Sequence, residues 1–280
     1  MIDIHAHTTF SDGTDSPRAL VNNAIIHGVD ILGITDHDSI AGWQEATDAL
    51  RGDLKLVLGA EISSLTLSGV SVHMLGLLFD GEDAKMQEML AQTRDDRIPR
   101  MEKMIELLNA AGIMVTMEDV NALRPAGATL GRPHLADALV SLGIIKSRDD
   151  AFRGLLNNDS EFYVSHMAPT PEVAIAQIRA AGGVAVIAHP FASHRGEILT
   201  PDDFLPLVLA GLAGIEVDHR DQNPSEREIL RSIALELDLV VTGSSDYHGT
   251  GKLNRLGENC TDPEEWDKLE ARAAGKVVQI

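Results

Sequence analysis

Cysteine is nearly missing. Cys260 stands alone, so the chain can form no internal disulfide and no thiolate zinc site. That usage fits a reducing cytoplasm, where the protein is expected. No run of 18 or more apolar residues occurs, so no transmembrane helix is expected. Strand-like sequence begins at Ile2, where a signal peptide would need a basic leader and an apolar stretch, so none is expected. Positive charge is scarce: 23 Lys and Arg against 43 Asp and Glu leave a net charge of -20. A body of that sign repels duplex nucleic acid, whose non-specific binding needs cations to neutralise phosphates. It does not repel a small phosphorylated substrate if divalent cations make one pocket locally positive. Aromatics are only 4% of the chain, and Trp43, Phe191 and Tyr247 are the only ones near the expected site loops. That argues against a stacking platform for long single strands. The expected partner is therefore a small nucleotide or the end of a short oligonucleotide, with no duplex and no membrane; the sequence says nothing of oligomeric state.

Seven apolar runs read as strands: Ile2–His5, Ile31–Thr35, Leu54–Gly59, Val70–Leu78, Val184–Ala188, Gly214–Val217 and Leu239–Thr242. Most are rich in Val, Ile and Leu without alternation, as in strands buried on both faces of a parallel sheet. Helical patterns lie between most of them, opening at Ser16-Pro17, Thr170-Pro171, Thr200-Pro201 and Ser225. Strand and helix in alternation give an α/β fold of barrel type. Ser68-Gly69 leaves no room for a crossover helix and reads as a hairpin turn, so the barrel is irregular. From about Ala84 to Val164 only helical spacing appears: Met86, Met89 and Leu90, then Met101, Met104, Ile105 and Leu108 beyond Pro99. Further starts follow at Thr116, whose partner Asp119 completes a capping box, at Pro133 and at Ser147. Residues 95–165 are expected to form a small helical insertion domain, and 1–94 with 166–280 the barrel domain.

Ile2 and Ile4 alternate with Asp3 and His5, so His5 and His7 point to one face. Alone, two histidines at that spacing are a weak metal signal. The other strands repeat it. His5, His7 and Asp12 follow the first strand; Asp36, His37 and Asp38 the second; Glu61 the third. His73 lies on the fourth, His189 follows the fifth, and Asp246 and His248 follow the last. Functional residues of such barrels lie at the C-terminal ends of the strands. Six imidazoles and three carboxylates exceed the usual set for one ion and suit two or three, with Glu61 bridging a pair. So much imidazole without thiolate favours Mn, Fe or Zn over Mg or Ca.

The stretches His5-Ala6-His7, Ser11-Asp12-Gly13, Thr35-Asp36-His37-Asp38, Gly59-Ala60-Glu61, Ala188-His189-Pro190 and Ser245-Asp246-Tyr247-His248 resemble the motifs of the PHP (polymerase and histidinol phosphatase) superfamily. Gly131-Arg132-Pro133-His134 in the insertion resembles its subgroup of small phosphoesterases of the bacterial RNase AM kind. The resemblance implies a distorted seven-stranded TIM-like barrel with a trinuclear metal centre. It implies hydrolysis of nucleoside 3',5'-bisphosphates or of the 5' end of short RNA. It also implies a ligand set: His5, His7, Glu61 and Asp246 for one metal; Glu61, His73 and His189 for a second; Asp12, His37 and His248 for a third.

Physics supplies a mechanism for such a site. Bridging metals lower the pKa of a shared water from about 15.7 towards 7, which gives hydroxide at neutral pH. His194 is the candidate general acid, with a plain loop histidine as the alternative. Arg132 and His134 flank Pro133 at a helix N-terminus, where free N–H groups, a partial positive charge and a guanidinium fork suit a substrate phosphate. Glu216 and His219 face the same end of the barrel as outer-sphere or rim residues. Asp36 and Asp38 are placed to orient imidazoles. His27 reads as a partner of a helix C-terminus and His166 as a hinge residue. The rivals are a phosphomonoesterase of a small metabolite such as histidinol phosphate, a metal-dependent amidohydrolase, and a non-catalytic metal-binding module. Lysines are absent from the strand ends, which favours phosphoester chemistry over the amidohydrolase; no ligand is lost, which disfavours the module.

Overall fold

The computed structural model describes residues 1–165, 167–193, 196 and 198–279. Seven strands among them form one sheet in chain order: β1 (Ile2–Asp3), β2 (Ile31–Ile34), β3 (Lys55–Leu65), β4 (Ser71–Leu77), β5 (Val184–Ala188), β6 (Gly214–Asp218) and β7 (Val240–Gly243). A parallel bridge between Ala6 and Tyr247, with the His7 N–H donating to the Tyr247 carbonyl at 2.8 Å, joins the two edges. The sheet is thus a nearly closed barrel. β1–β2–β3 and β5–β6–β7 run parallel, while β4 is antiparallel to both neighbours. A two-strand hairpin across Ser68-Gly69 forces that reversal, because a parallel connection needs a crossover. β3 also runs further than its apolar sequence suggests. Pairing with β4 extends it past Gly59 to Leu65, so Glu61 stands inside the strand, not beyond it.

Helices surround the barrel: α1 (Pro17–Ile26), α2 (Trp43–Ala49), α7 (Pro171–Ala180), α8 (Phe204–Ala210), α9 (Pro224–Glu236) and α10 (Pro263–Glu270). Ser16, Thr170, Asn223 and Asp262 cap four of them, with proline in the first turn each time. The cap of α9 is Asn223, two residues before the expected Ser225. Ile175 and Ile178 of α7 are fully buried with Ile62, Met74 and Ile187 of the sheet. Each such side chain contributes roughly 1.5–3 kcal/mol. Trp266 and Leu269 of α10 pack on Ile2, Ile31, Val184 and Val240, residues that begin the parallel strands. That end of the barrel is plugged, which leaves the opposite end for chemistry.

Between β4 and α7 lie α3 (Ala84–Ala110), α4 (Met117–Leu123), α5 (Arg132–Ser141) and α6 (Arg148–Arg153). Met101, Met104, Leu108, Leu135, Leu139 and Phe162 form a core of their own. The helical spacing seen on both sides of Pro99 belongs to one helix, since α3 passes through the proline over 27 residues. Proline inside a helix costs about 3 kcal/mol. Three arginines spaced three apart offset it. Arg94 donates to the Asp38 carbonyl at 2.6 Å; Arg97 to the Asp38 carboxylate at 2.5 Å, to Ser63 Oγ and to the Leu130 carbonyl; Arg100 to the Val164 carbonyl at 2.6 Å. The start of the expected helical insertion at residue 95 therefore falls within a continuous helix.

Candidate metal centre

His5 and His7 leave the end of β1 on one face, and their Nε2 atoms lie 3.1 Å apart. The backbone carrying them is fixed from both sides. Ala6 N–H donates to Thr35 Oγ1, and Asp3 accepts the N–H groups of Ser245 and Gly257. Asp36 folds the next turn by accepting from Thr8 N–H, Thr8 Oγ1 and Ser11 Oγ, which brings Asp12 back over the histidines. Asp38 accepts from Ser63 N–H and from Arg97. Asp36 reaches His7 Nδ1 through Ser11 Oγ, 3.3 Å from it, as expected of an orienting carboxylate, whereas Asp38 meets no imidazole directly and anchors the loop and α3. Because β4 is reversed, His73 near its start pairs opposite Ser63 and Ala188 and reaches the same rim as His189.

Glu61 is the hub. Its Oε1 lies 2.7 Å from His73 Nδ1 and 3.1 Å from His189 Nε2; its Oε2 lies 3.0 Å from His37 Nδ1, 3.1 Å from His7 Nε2 and 3.4 Å from His5 Nε2. Asp246 Oδ1 sits 3.3 Å from His7 Nε2 and 3.5 Å from His5 Nε2. Asp12 Oδ1 sits 3.2 Å from His248 Nε2 and 3.7 Å from His7 Nδ1, with His37 Nε2 3.8 Å from its other oxygen. All nine expected side chains thus stand in one cluster around Glu61, Asp12 and Asp246. Donor atoms close enough to share an ion come in groups: His5, His7, Glu61 and Asp246; His7, Asp12, His37 and His248; His37, Glu61 and His73; His5, His189 and Glu216.

These donors fit divalent cations. Asp12 Oδ1, His37 Nδ1 and His248 Nε2 are buried with no hydrogen-bond partner, and each aims at the cluster. An unpaired buried polar group costs about 1–3 kcal/mol, which a cation would relieve. Burial works against charge on every group. It is outweighed at Glu61, where His37, His73 and His5 hold the carboxyl well below its usual range, at Asp12 beside His248, His37 and His7, and at Asp246 beside Lys252, His248 and His5. Burial likewise opposes the proton on His7, yet Asp246 and Glu61 raise its pKa to about 9. His5 is also held high, by Glu216, Glu61 and Asp246. Burial wins at His37, which falls well below normal, and at His248, which burial, Lys252 and His7 bring to about 4. His189 and Asp246 have positive φ angles of 31° and 52°. Such backbone costs about 1–3 kcal/mol per residue and clusters at functional sites.

The surrounding residues sort cleanly. Glu216 Oε1 accepts from His5 Nδ1 at 2.9 Å and its Oε2 from the His189 N–H at 3.0 Å, so one carboxylate orients two members of the cluster. His219 Nδ1 accepts the Asp221 N–H, which leaves its proton on Nε2, 3.4 Å from Asp246 Oδ2. His27 is exposed and hydrogen-bonds the Asn23 carbonyl at the end of α1, away from the cluster. His194 and His166 lie outside the described residues.

A cavity of about 550 Å³ opens above the cluster, in the size range of small-molecule sites. Asp12, His37, His73, His189 and His248 form its floor, and the helical segment supplies a wall with Arg100, Arg132, Phe152 and Tyr163. Arg132 Nη1 donates to the Leu156 carbonyl and to Asn158 Oδ1, and its guanidinium lies 5.2 Å from the centre of the Tyr163 ring. Arg100 lies 5.3 Å from the same ring; burial and the nearby Arg132 depress its pKa to about 9. Three expectations are corrected here. His134 turns inward, is 2% exposed, and accepts the Gly131 N–H through Nδ1, so it caps α5 and does not line the cavity. The aromatics at the site are Phe152 and Tyr163, whereas Trp43 bonds the Gly59 carbonyl, Phe191 is buried in the core and Tyr247 bonds Asp15. A lysine does reach the site: Lys252, beyond β7, holds Asp246 Oδ2 at 2.8 Å. No local sequence pattern marks these long side chains, because each arrives from a remote turn or helix.

The PHP domain family model matches residues 3–113. A 5'-3' exoribonuclease of Haemophilus influenzae is 33% identical over 258 residues, spanning 92% of this chain and 93% of that one. The chain belongs to the PHP family. A 3',5'-nucleoside bisphosphate phosphatase of Chromobacterium violaceum is 31% identical over 280 residues, covering 97% of each chain. A solved structure from Bifidobacterium adolescentis, described as a metal-dependent phosphoesterase, superposes with a TM-score of 0.91 at 41% identity over 97% of this chain and 96% of that one. This PHP-family chain is accordingly a hydrolase of phosphoester bonds that depends on metal. Among the described residues no helix is long and apolar enough to cross a membrane.

Proposed function

We propose that the chain hydrolyses a phosphate ester of a small nucleotide that carries a second phosphate: in a nucleoside 3',5'-bisphosphate such as 3'-phosphoadenosine 5'-phosphate, or at the 5' end of a short RNA. The observation that carries this reading is one cavity with two anion-receptive regions, the donor cluster on its floor and Arg132 on its wall, in a chain of net charge -20. Relatives named for nucleoside bisphosphates and for RNA support it.

His5, His7, Glu61 and Asp246 would hold one Mn, Fe or Zn ion, Glu61, His73 and His189 a second, and Asp12, His37 and His248 a third. Bound there, the ions supply Lewis acidity, polarising phosphoryl oxygens and lowering the pKa of water. The chain's own groups supply the positioning that dominates phosphoryl transfer. Glu216 keeps the His5 proton on Nδ1, so that Nε2 presents its lone pair to the cluster. Arg132, oriented by Leu156 and Asn158, places its positive guanidinium on the cavity wall, where it would meet the second phosphate. Tyr163 and Phe152 offer flat faces near it for a base. Residues 95–165 act as a cap domain whose α3 is rooted on the barrel. The single cysteine suits the cytoplasm, where such nucleotides arise.

The test is phosphate release by the Mn-loaded protein from 3'-phosphoadenosine 5'-phosphate, AMP, histidinol phosphate and a short 5'-phosphorylated RNA in parallel. Release from the bisphosphate or the RNA should far exceed release from AMP and histidinol phosphate. Equal or greater release from histidinol phosphate would overturn the reading.

A further inference from the structure

We infer that the helical segment completes the outermost part of the metal centre, and that Arg148 is the positioning residue through which it does so. The inference rests on the ligand grouping proposed above. Arg148 begins α6. Its Nε and Nη2 donate to the two carboxylate oxygens of Asp137 on α5, each at 2.5 Å. Its Nη1 donates to the backbone carbonyl of Asp12 at 3.2 Å. On its other side the guanidinium lies against the turn Gly249–Gly251, so closely that a Cβ on Gly251 would stand 2.5 Å from Nη1. One side chain, fixed by the helices, therefore sits between the loop that carries Asp12 and the loop that carries His248.

Those loops need such support. The inner donors His5, His7, Glu61 and Asp246 are buried beneath the cavity floor, and the first three lie on or just past paired strands. Asp12 and His248 lie in turns beyond β1 and β7, and both line the open cavity. Thr14 joins the two turns, donating its N–H to the His248 carbonyl at 3.1 Å and accepting from the Thr250 N–H. That contact ties the turns to each other, and Asp36 ties the near side of the Asp12 loop to the barrel through Thr8 and Ser11. Arg148 ties them to α5. Asp12 Oδ1 and His248 Nε2, 3.2 Å apart and without hydrogen-bond partners, are the atoms whose spacing depends on it. A planar fork is required, since a lysine ammonium cannot hold both Asp137 oxygens in plane while reaching the Asp12 carbonyl. The inner ions then depend on the barrel alone, and the outer ion on the docked helices.

The test counts ions and measures their affinities by titrating Mn into wild type, Arg148→Met, Arg148→Lys and His248→Ala, with circular dichroism to verify folding. Arg148→Met should keep the inner ions at wild-type affinity and bind the outer ion about 10–100-fold more weakly, the usual cost of losing an outer-sphere support. Arg148→Lys should fall between, and it replaces Arg148→Met if that variant does not fold. His248→Ala should lose the outer ion outright. If His248→Ala loses an ion while both Arg148 variants match wild type, Arg148 is no positioning residue and the inference fails alone. If His248→Ala also matches wild type, the ligand grouping fails and the inference with it. A uniform weakening of all ions in Arg148→Met would overturn it too, because it would show general loosening.

Discussion

The floor and the wall of the cavity are built on opposite plans. The floor consists of short side chains, imidazole and carboxylate, set by backbone register on or just past paired strands. The wall consists of long arginines set by hydrogen bonds to carbonyl oxygens and carboxylates on helices and turns. A short side chain on a strand has few rotamers and gives a fixed distance. A long one buys reach at the cost of rotamer entropy, and needs partners to hold it. On the function proposed above, bond breaking belongs to the floor and substrate choice to the wall, and the contrast can be broken at either side.

The largest effect belongs to the hub. Glu61→Ala removes the carboxylate shared by His5, His7, His37, His73 and His189. Phosphoester hydrolysis should drop by at least about 10³-fold, the scale of losing a principal electrostatic group. Activity within tenfold of wild type, at full metal loading, would remove Glu61 from the centre. Next comes the joint between floor and wall. Arg97→Met strands the fully buried Asp38 and should cost about 3–5 kcal/mol in denaturant unfolding. An unchanged midpoint would show that α3 does not depend on that pair. Arg132→Met sharpens the contrast, since it should raise KM for the bisphosphate by about 10–100-fold, the worth of a charged hydrogen bond, and leave kcat nearly intact. A fall in kcat with KM unchanged would move Arg132 from wall to floor.

The smallest effect is a proton count. In the metal-free protein His7 has a pKa raised to about 9, so it is protonated at pH 7.5 and must lose that proton to bind a cation. His5 is held high as well, so Mn affinity should climb at least about tenfold per pH unit from 7 towards 9. Calorimetry in two buffers of different ionisation heat should show at least one proton released at pH 7.5. No release would mean that His7 is neutral without metal.

The floor was legible in the sequence because its signals are local. Alternation put His5 and His7 on one face, and the ends of apolar runs flagged His37 and His189. Even there Glu61 was misplaced relative to its strand, because the extension of β3 to Leu65 comes from pairing with β4, which is not a local property. The wall was legible only in part. Helical spacing announced the segment on both sides of Pro99, but the contacts of Arg94, Arg97 and Arg100 that hold one helix through the proline are tertiary and left no local signal. At the start of α5 one helix-terminus signal covered two residues with different fates: Arg132 lines the cavity and His134 caps the helix. Arg148, Tyr163 and Lys252 gave no signal, since nothing near them in sequence records the distant loop they meet.

The left-handed backbone at His189 and Asp246 has a consequence for stability. Replacing either residue by glycine would relax its φ angle and also dilute a crowd of buried donors. At Asp246 any gain is set against the loss of the buried carboxylate's pair with Lys252, so glycine at 189 is the change that should make the metal-free fold sturdier while disabling the chemistry.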